Sequence, residues 1–402
     1  MNLFENKSIL LGITGSIAAY KAADLASRLK KSGAKVNAVL TPGAEKFISP
    51  LTFQPVIGSK AYVDNDLWIG ETHVTHIGLG HNADLAVIAP ASADFMAKLA
   101  YGFGDSLLAV SILASHCPLL LAPAMDGDMY DHAATQANVA ILKERGAHFI
   151  GPASGHLASG LTGVGRMSEP AEIFNNIRCL LSRDGKLRGK RILVTAGGTR
   201  EAIDPVRMIT NRSSGKQGYA IAQAALDAGA DVTLISAPTA LDVPFGCQYI
   251  PVESAADMLN AVVAHLPECD GLIMCAAVAD FHPLAAAEHK IKKDGGFNQI
   301  SLEPTQDILA EVAVMRPSLS KLKAVIGFAA ESQDLRQNAK GKLDKKKLDM
   351  IVANDISAKD SGFAVDQNRA VFLYADGREK EIPLMGKDQL AEALITDLLQ
   401  LL

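Results

Sequence analysis

Nine short apolar runs recur along the chain and constrain its fold more than any other feature. They are SILLGIT, KVNAVLT, DLAVIAP and PLLLAPA in the first half, and RILVTAG, DVTLISA, GLIMCAA, AVIGFAA and DMIVAND in the second. Their hydrophobicity is continuous rather than alternating, which is typical of parallel strands covered on both faces. Stretches of helical period separate them. The sequence therefore predicts an α/β fold of two doubly wound, mostly parallel sheets, flavodoxin-like or Rossmann-like in the first half and Rossmann-like in the second.

The two halves repeat one arrangement and meet at a short charged segment. Gly33 and Gly229 each stand between a helical stretch and a strand, where a glycine C-cap is expected. The segment SRDGKLRGKR, from Ser182 to Arg191, lies directly before the second set of strands. We therefore predict two domains, residues 1–189 and 190–402.

Composition excludes several classes of protein. The net charge of -5 gives no electrostatic reason to bind nucleic acid or an anionic membrane, so small molecules are the expected partners. The five cysteines are odd in number and form no CxxC pair, which suits a reducing compartment and disfavours a zinc site. No leader pattern or run of about eighteen apolar residues is present, and we expect a soluble cytoplasmic protein.

Two glycine turns mark candidate ligand sites. The first, GITGSIAA, follows a strand, and the second opens about twenty polar residues before the helical pattern that starts at Gln217. A compact α/β unit normally connects these elements with about two to six residues. Neither half carries GxGxxG, and the second strands end at Thr41 and Ser236 rather than at an acid, which disfavours NAD. For GITGSIAA, a phosphate site at a helix N-terminus and a merely tight turn both remain open.

Four motifs follow one another in the first half: GITGSIAAYKA, VTHIGLGHNADLAVIAPASADFMAKLAYGFGDSL, APAMDGDMY and GHLASGLTGVGRMSEP. From about Ser8 to Pro170 they resemble the flavin-containing phosphopantothenoylcysteine decarboxylases. The resemblance implies FMN, which supplies the redox chemistry that decarboxylation of an N-acylated cysteine requires. The implied FMN-binding residues are Gly15, Ser16, Thr41 and Ser92. The implied catalytic residues are His76, Asp126 and Ser159, and the implied substrate-binding residues are Met125, Arg166 and Met167, the last two at the end of a flap.

Two of these positions depart from the family pattern. Ser159 stands where the family usually has a cysteine that protonates an intermediate, and Asp126 stands where it has an asparagine. A serine hydroxyl is a far weaker acid than a thiol, whose ordinary pKa is about 8.5. An aspartate would repel a substrate carboxylate unless one of them is protonated or paired. We expect that Ser159 and Asp126 are a natural variant pair that still supports decarboxylation. The alternative is an active second half with an impaired or regulatory flavin-binding first half.

In the second half, GGTREAIDPVRMITNRSSGKQG is followed by CAAVADFHP, HKIKK, PTQDIL, IGFAAES and KGKLDKKKLDMIVAND. From Lys190 to about Leu402 these resemble the phosphopantothenate–cysteine ligases, which activate a carboxylate with CTP. Taken alone, KGKLDKKKLD would be a solvated helix face, but the resemblance assigns it lid lysines. The implied nucleotide-binding residues are Asp280, Lys290, Pro304, Thr305, Gln306, Asp307, Phe328, Lys342 and Lys346. The implied substrate-binding residues are Arg207, Ser213, Ser214 and Gly215, and the implied catalytic residues are Asn211 and Lys290.

The two resemblances together cover nearly the whole length and match a bacterial bifunctional family of coenzyme A biosynthesis. They imply a homo-oligomer in which the flavin domains form trimers, with FMN near the subunit contact, and the ligase domains form dimers. A nucleoside triphosphate normally binds as its Mg²⁺ complex, in which the protein supplies few of the metal ligands. Mg²⁺ is therefore expected, and its protein ligands are unknown. Lys342 and Lys346 would share one face if their segment is helical.

Overall fold

A computed structural model describes residues 2–69, 75–158, 160, 162–292, 299–331, 334–355 and 367–402. The chain divides into two compact units, Asn2–Leu181 and Ser182–Leu402. The division falls a few residues before the boundary expected between residues 189 and 190, which stays a prediction. No described helix combines the length and apolar character needed to cross a membrane.

The first unit is built on a six-stranded parallel sheet. Its strands are β1 (Ser8–Ile13), β2 (Lys35–Leu40), β3 (Tyr62–Val63), β4 (Leu85–Ala91), β5 (Leu119–Pro123) and β6 (His148–Phe149). They lie in the order β3-β2-β1-β4-β5-β6, which is the Rossmann order. A separate antiparallel hairpin joins β7 (Ala153–His156) to β8 (Thr162–Arg166).

Helices cover both faces of this sheet. They are α1 (Ala19–Lys31), α2 (Pro42–Glu45), α3 (Pro50–Ile57), α4 (Thr75–His81), α5 (Ala93–Tyr101), α6 (Leu107–Leu113), α7 (Gly127–Asp131), α8 (Ala133–Glu144) and α9 (Pro170–Ser182). One core packs β1, β2 and β4 against α1, α3 and α9, and another packs the opposite face against α5, α6 and α8. Every residue of β1 and β4 is buried, which explains why these strands read as continuous apolar runs.

The second unit repeats the Rossmann order and extends it with two antiparallel strands. Its main sheet runs β13-β12-β9-β14-β17-β18-β19-β20, parallel as far as β18. These strands are β9 (Arg191–Ala196), β12 (Asp231–Ser236), β13 (Gln248–Pro251), β14 (Gly271–Met274), β17 (Ala324–Glu331), β18 (Met350–Asp355), β19 (Gln367–Tyr374) and β20 (Glu379–Gly386). Two small hairpins pair β10 (Arg200–Ala202) with β11 (Met208–Thr210), and β15 (Phe281–Pro283) with β16 (Leu302–Pro304).

The helices of the second unit are α10 (Lys216–Asp227), α11 (Ala255–His265), α12 (Ile308–Met315), α13 (Leu335–Lys345) and α14 (Lys387–Leu401). α10 and α14 cover one face of the sheet, while α11, α12 and α13 cover the other. The predicted doubly wound architecture is therefore confirmed in both halves, and all nine apolar runs are strands.

The long polar loop was predicted incompletely. It ends at α10, within one residue of the expected helix start, but it is not irregular throughout because the β10–β11 hairpin lies inside it. The tip of the hairpin is fixed by Asp204, whose carboxylate accepts hydrogen bonds from the backbone N–H groups of Val206 and Arg207, each at 2.8 Å. The glycines expected at the helix ends are confirmed: Gly33 and Gly229 have φ of 101° and 89° and directly follow Ser32 and Ala228, the C-cap residues of α1 and α10.

Candidate active sites

A cavity of about 670 Å³ opens at the carboxyl edge of the first sheet, beside the loops that follow the neighbouring strands β1 and β4. This is the topological switch point at which open α/β sheets bind ligands. All the predicted FMN-binding residues line it together with Met125: they are Gly15, Ser16, Thr41 and Ser92. The structure thus brings together, at one edge, residues that lie up to 110 positions apart in the sequence.

Thr14 organises the opening of this cavity and was missed in the sequence. Its buried hydroxyl donates to the carbonyl of Pro90 at 2.7 Å and accepts from the backbone N–H of Ser92 at 2.9 Å, so the ends of β1 and β4 are tied together. Ser92 is in turn the N-cap of α5 and accepts from the N–H of Phe95 at 3.3 Å. The positive end of the α5 macrodipole therefore faces the cavity and favours an anion there.

Gly15 lets the backbone itself border the cavity. A Cβ atom at this position would lie 3.1 Å from the carbonyl carbon of Gly43, closer than side-chain atoms normally approach. Glycines at both positions therefore allow the turns after β1 and β2 to come into contact. This cradle of bare backbone fits a phosphate group, whose oxygens need N–H donors rather than side chains.

The opposite wall of the same cavity is acidic. Lys98 lies 3.0 Å from Asp105, and the hydrogen bond to that carboxylate raises the pKa of the Lys98 ammonium. Burial raises the pKa of Asp64, although its carboxylate accepts from the N–H of Leu107 at 3.1 Å. An anionic end of a ligand therefore fits the Gly15 side of the cavity and not this wall.

A neighbouring cavity of about 520 Å³ brings together the three residues predicted to bind the decarboxylase substrate, the predicted catalytic Asp126 and one predicted FMN residue, Ser16. Ser16, Met125, Asp126, Arg166 and Met167 line it, and the β7–β8 hairpin, which contains the predicted flap, forms one wall. Asp126 is the N-cap of α7, and its carboxylate accepts from the N–H of Asp128 at 3.1 Å. The guanidinium of Arg166 lies 3.5 Å from Glu169. Ser159 lies outside the described residues.

Lys21 is a further cation of this second cavity. The residue is 8 % exposed, and its Nζ donates to the carbonyl of Met167 at 3.2 Å and to Glu169 at 2.7 Å. These bonds connect α1 to the chain that follows the hairpin. The sequence carried one usable signal, because Lys21 interrupts the otherwise apolar buried face of α1.

Gly165 joins the hairpin to the loop that carries Met125. Its carbonyl accepts the Met125 N–H at 3.0 Å, and a Cβ on Gly165 would overlap the carbonyl oxygen of Met125. Gly165→Ala is therefore expected to reduce the free energy of unfolding by about 1–3 kcal/mol and to impair the first unit selectively. Thermal unfolding and separate assays of both units check this.

Gly163→Ala is the matched control for that substitution, since a Cβ there would make only ordinary contact with Leu157, at 3.5 Å. Equal losses from the two substitutions would contradict the steric argument.

His76 is not among the residues that line either cavity of its own chain. It lies in α4, and its Nδ1 atom is buried with no hydrogen-bond partner among the described residues. The structure therefore does not bring the predicted active-site histidine to the predicted flavin residues within one subunit.

The second unit has a cavity of about 430 Å³ at the carboxyl edge of its sheet. The predicted residues that line it are Asn211, Ser213, Ser214, Gly215, Asp280, Thr305, Gln306, Asp307, Phe328, Lys342 and Lys346. Arg207, Lys290 and Pro304 are predicted residues outside this lining. Most of the predicted ligase site is thus brought together in one place.

Asn211 connects the two loops at the switch point of this sheet. Its amide nitrogen donates to the carbonyls of Ala277 and Val278, at 3.2 and 3.1 Å, so the loop after β9 is held against the loop after β14. Gly215 then begins α10 with a φ of 75°, and a Cβ there would lie 2.6 Å from Thr239. Glycine at this position allows the backbone of the loop to turn into the helix at the cavity wall.

Arg207 and Ile291, the neighbour of Lys290, are both held at the hairpin tip instead. The buried carboxylate of Asp204 accepts from the N–H of Arg207 and, at 3.2 Å, from that of Ile291. Burial by itself would raise the pKa of Asp204, but its backbone donors and the Arg207 guanidinium outweigh it and lower the pKa. The hairpin tip is therefore a fixed anchor for the chain segment that carries Lys290.

The basic wall of the ligase cavity is helical, which is the condition under which Lys342 and Lys346 were expected to share one face. Lys342 lies in α13, Lys346 caps the end of that helix, and both line the cavity. Lys346 forms an ion pair with Asp307, the N-cap of α12. The backbone N–H of Thr305 donates to the carbonyl of Asp280 at 2.9 Å, which holds the chain before α12 against the loop after β14.

Sequence reasoning missed several lining residues of this cavity, including four polar ones from separate elements. These four are Gln217, Asn354, Asn368 and Lys387. They come from α10, β18, β19 and α14, so no local spacing connects them. Asn354 offered the best signal, since it is a polar residue at the carboxyl end of an apolar strand.

Comparison with known proteins matches both halves. The flavoprotein family profile matches residues 2–182, and the profile described as DNA/pantothenate metabolism flavoprotein C-terminal domain matches residues 187–402. The coenzyme A biosynthesis bifunctional protein CoaBC of Bacillus subtilis is 43 % identical over 388 residues, covering 96 % of this chain and 95 % of its own. That of Vibrio vulnificus is 45 % identical over 400 residues, covering 98 % of each chain.

Among solved structures, the C-terminal domain of a CoaBC protein is 42 % identical and covers 54 % of this chain and 97 % of its own, with a TM-score of 0.46. The relatives from Bacillus subtilis and Vibrio vulnificus are described as bifunctional, and each aligns with both halves of this chain. They give no support to a first half that only binds flavin or regulates.

Proposed function

Because the chain belongs to the family of coenzyme A biosynthesis bifunctional proteins, we propose that it catalyses two consecutive reactions. The second half joins cysteine to 4'-phosphopantothenate with CTP, and the first half decarboxylates the product to 4'-phosphopantetheine with FMN. The observation that carries this proposal is the convergence of the predicted residues on cavities at the carboxyl edges of both sheets.

The first unit fits FMN at the edge of its sheet. Gly15 and Ser16 would hold the phosphate beside the N-terminus of α5, and Thr41 and Ser92 would border the rest of the cofactor. Bound FMN supplies two-electron redox chemistry to a substrate that has no carbonyl group β to its carboxylate and so cannot stabilise the carbanion of decarboxylation by itself. Met125 lines both cavities and therefore separates the cofactor position from the substrate position.

The substrate carboxylate is bound in the neighbouring cavity, where Arg166 offsets the charge of Asp126. The buried Lys21 adds a second positive charge to this cavity. Lys21 and Arg166 also pair with Glu169. The two cations therefore balance the two carboxylates of Asp126 and Glu169, and Asp126 is compatible with an anionic substrate there. Ser159 delivers a proton through water rather than directly, because its hydroxyl is a weak acid.

In the second unit, the carboxylate of 4'-phosphopantothenate attacks the α-phosphorus of CTP and pyrophosphate leaves. Lys342 and Lys346 neutralise the triphosphate, with Mg²⁺ sharing that role. Ser213, Ser214 and Gly215 hold the substrate phosphate, and Asn211 holds the acyl-cytidylate. The cysteine amine then attacks the acyl carbon and releases CMP. Lys290, which lies outside the lining of this cavity, adds a further positive charge for the triphosphate.

The enzyme is proposed to act in the cytoplasm as a homo-oligomer, with trimers of the first unit and dimers of the second. This arrangement explains why His76 lies apart from the cavities of its own chain. In a trimer, the histidine of one subunit completes the flavin site of its neighbour.

The ligase assignment is tested by following pyrophosphate with single components omitted. Release is expected to require CTP, 4'-phosphopantothenate and Mg²⁺, to stop on addition of EDTA, and to persist in protein stripped of FMN. ATP replaces CTP as the control nucleotide and is expected to give little product. Pyrophosphate release without the acid substrate would contradict the assignment.

A further inference from the structure

One end of the ligase cavity is polar, and the proposed binding of CTP and 4'-phosphopantothenate assigns no role to its side chains. We call it the amide floor and define it as Gln217, Asn354, Asn368 and Lys387. All four line the cavity, and three of them are at most 9 % exposed: Gln217, Asn368 and Lys387.

The floor lies on the face of the sheet that α10 and α14 cover. Asn354 stands two residues after Val352, a member of the core on that face, and side chains two apart in a strand share a face. Gln217 and Lys387 lie in the first turns of α10 and α14, and the Gln217 amide nitrogen donates to the Lys387 carbonyl at 3.1 Å. The basic wall lies across the sheet edge, on α13.

Two buried acceptors of the floor have no donor among the described residues: Gln217 Oε1 and Asn354 Oδ1. The orientation of the Gln217 amide is fixed, because its nitrogen is used by the Lys387 carbonyl. Leaving a buried acceptor unsatisfied is unfavourable. The floor is therefore suited to a ligand that donates N–H hydrogen bonds.

Lys387 adds a positive charge to the same end of the cavity. Its ammonium is close enough to Cys275 to oppose the effect of burial, which raises the pKa of that thiol to about 12. The Cys275 thiol therefore stays protonated near neutral pH and is not a nucleophile. A ligand that fits the floor carries both N–H donors and an anionic group.

We propose that the amide floor is the subsite for the amino-acid substrate, cysteine. This inference rests on the proposed ligase function, which requires three substrates. The basic wall and Asp280 serve the nucleotide, and the loop from Asn211 to Gly215 serves the phosphorylated acid, which leaves the floor for the third. Lys387 binds the cysteine carboxylate, and the two amide oxygens accept from its amine.

The floor also prepares the amine for reaction. Attack requires the neutral amine, and the nearby Lys387 charge disfavours an ammonium ion. The two acceptors hold the N–H groups so that the nitrogen lone pair faces the acyl carbon. The cysteine nitrogen forms a C–N bond with the acyl carbon. The bond between that carbon and the cytidylate oxygen breaks, and CMP leaves with the bonding electrons. The amine proton passes to water.

Asn354→Leu and Gln217→Met test the acceptors. Each is expected to raise KM for cysteine about tenfold or more, the effect of losing a hydrogen bond to a buried polar group. KM for CTP, KM for 4'-phosphopantothenate and the burst of pyrophosphate without cysteine stay within about twofold of wild type. Gln223→Met is the matched control, because Gln223 lies on the same helix, donates to Asp227 at 3.0 Å and is not among the cavity-lining residues.

Lys387→Met tests the carboxylate contact, with cysteamine as a second nucleophile that lacks a carboxylate. The substitution is expected to raise KM for cysteine about tenfold or more and to leave KM for cysteamine unchanged. Equal effects on both nucleophiles would overturn the assignment. So would a loss of discrimination between CTP and UTP, or a selective rise in KM for the acid, in any floor variant. If wild-type protein releases no pyrophosphate, it is the proposed ligase function that fails.

Discussion

Replacing both Lys342 and Lys346 by methionine is expected to lower kcat/KM for CTP about a hundredfold or more. Each lysine lines the ligase cavity from the α13 side. A charge-assisted hydrogen bond contributes about 1.5–3 kcal/mol, so the loss of two removes at least two factors of about ten. Steady-state pyrophosphate release measures the effect, and decarboxylation of supplied 4'-phosphopantothenoylcysteine should be unchanged.

Lys345→Met is the control for that pair. Lys345 lies in the same helix and is exposed, but it is not among the cavity-lining residues. It should retain nearly all ligase activity. A similar loss in the control would mean that the helix acts through its general charge and not through the two cavity lysines.

The second large effect concerns His76, which the structure leaves outside both cavities of its own chain. His76→Asn and Arg166→Met are each expected to lower decarboxylation by about a hundredfold, the scale of losing a general acid or base or a charge-assisted contact to the substrate. Both variants should retain FMN, since neither residue lines the larger cavity.

Co-expression of the two variants should restore part of the decarboxylase activity. If a neighbouring subunit supplies His76, some sites in a mixed oligomer contain wild-type residues at both positions. Mixing His76→Asn with itself is the control. Absence of any recovery, in oligomers shown to contain both variants, would contradict a site shared between subunits.

The fold was predictable because burial on both faces leaves a strong mark in the sequence. Every residue of β4 is buried, so the strand is a continuous apolar run that can be recognised from its own sequence alone. The strands that escaped prediction lack this mark. β3 and β6 are two residues long, and the first half of β19 alternates between exposed and buried residues because the strand lies near the edge of the sheet.

The sites were predictable only where a ligand loop is continuous in sequence. Ser213 and Gly215 belong to one motif, and their position at the start of α10 follows from it. Lys387 could not be predicted in this way, because it lies 170 positions from Gln217 in the sequence and only the folded sheet brings the two residues together. Thr14 and Lys21 also act through distant partners, Pro90 and Met167, and such contacts have no local pattern.

One chain is proposed to contain two active sites that catalyse consecutive reactions. The most direct measurement incubates the purified protein with 4'-phosphopantothenate, cysteine, CTP and Mg²⁺ and identifies the end product by mass spectrometry. We predict 4'-phosphopantetheine, which requires both sites and shows that Asp126 and Ser159 support decarboxylation. Accumulation of 4'-phosphopantothenoylcysteine without further conversion would contradict the claim for the first half.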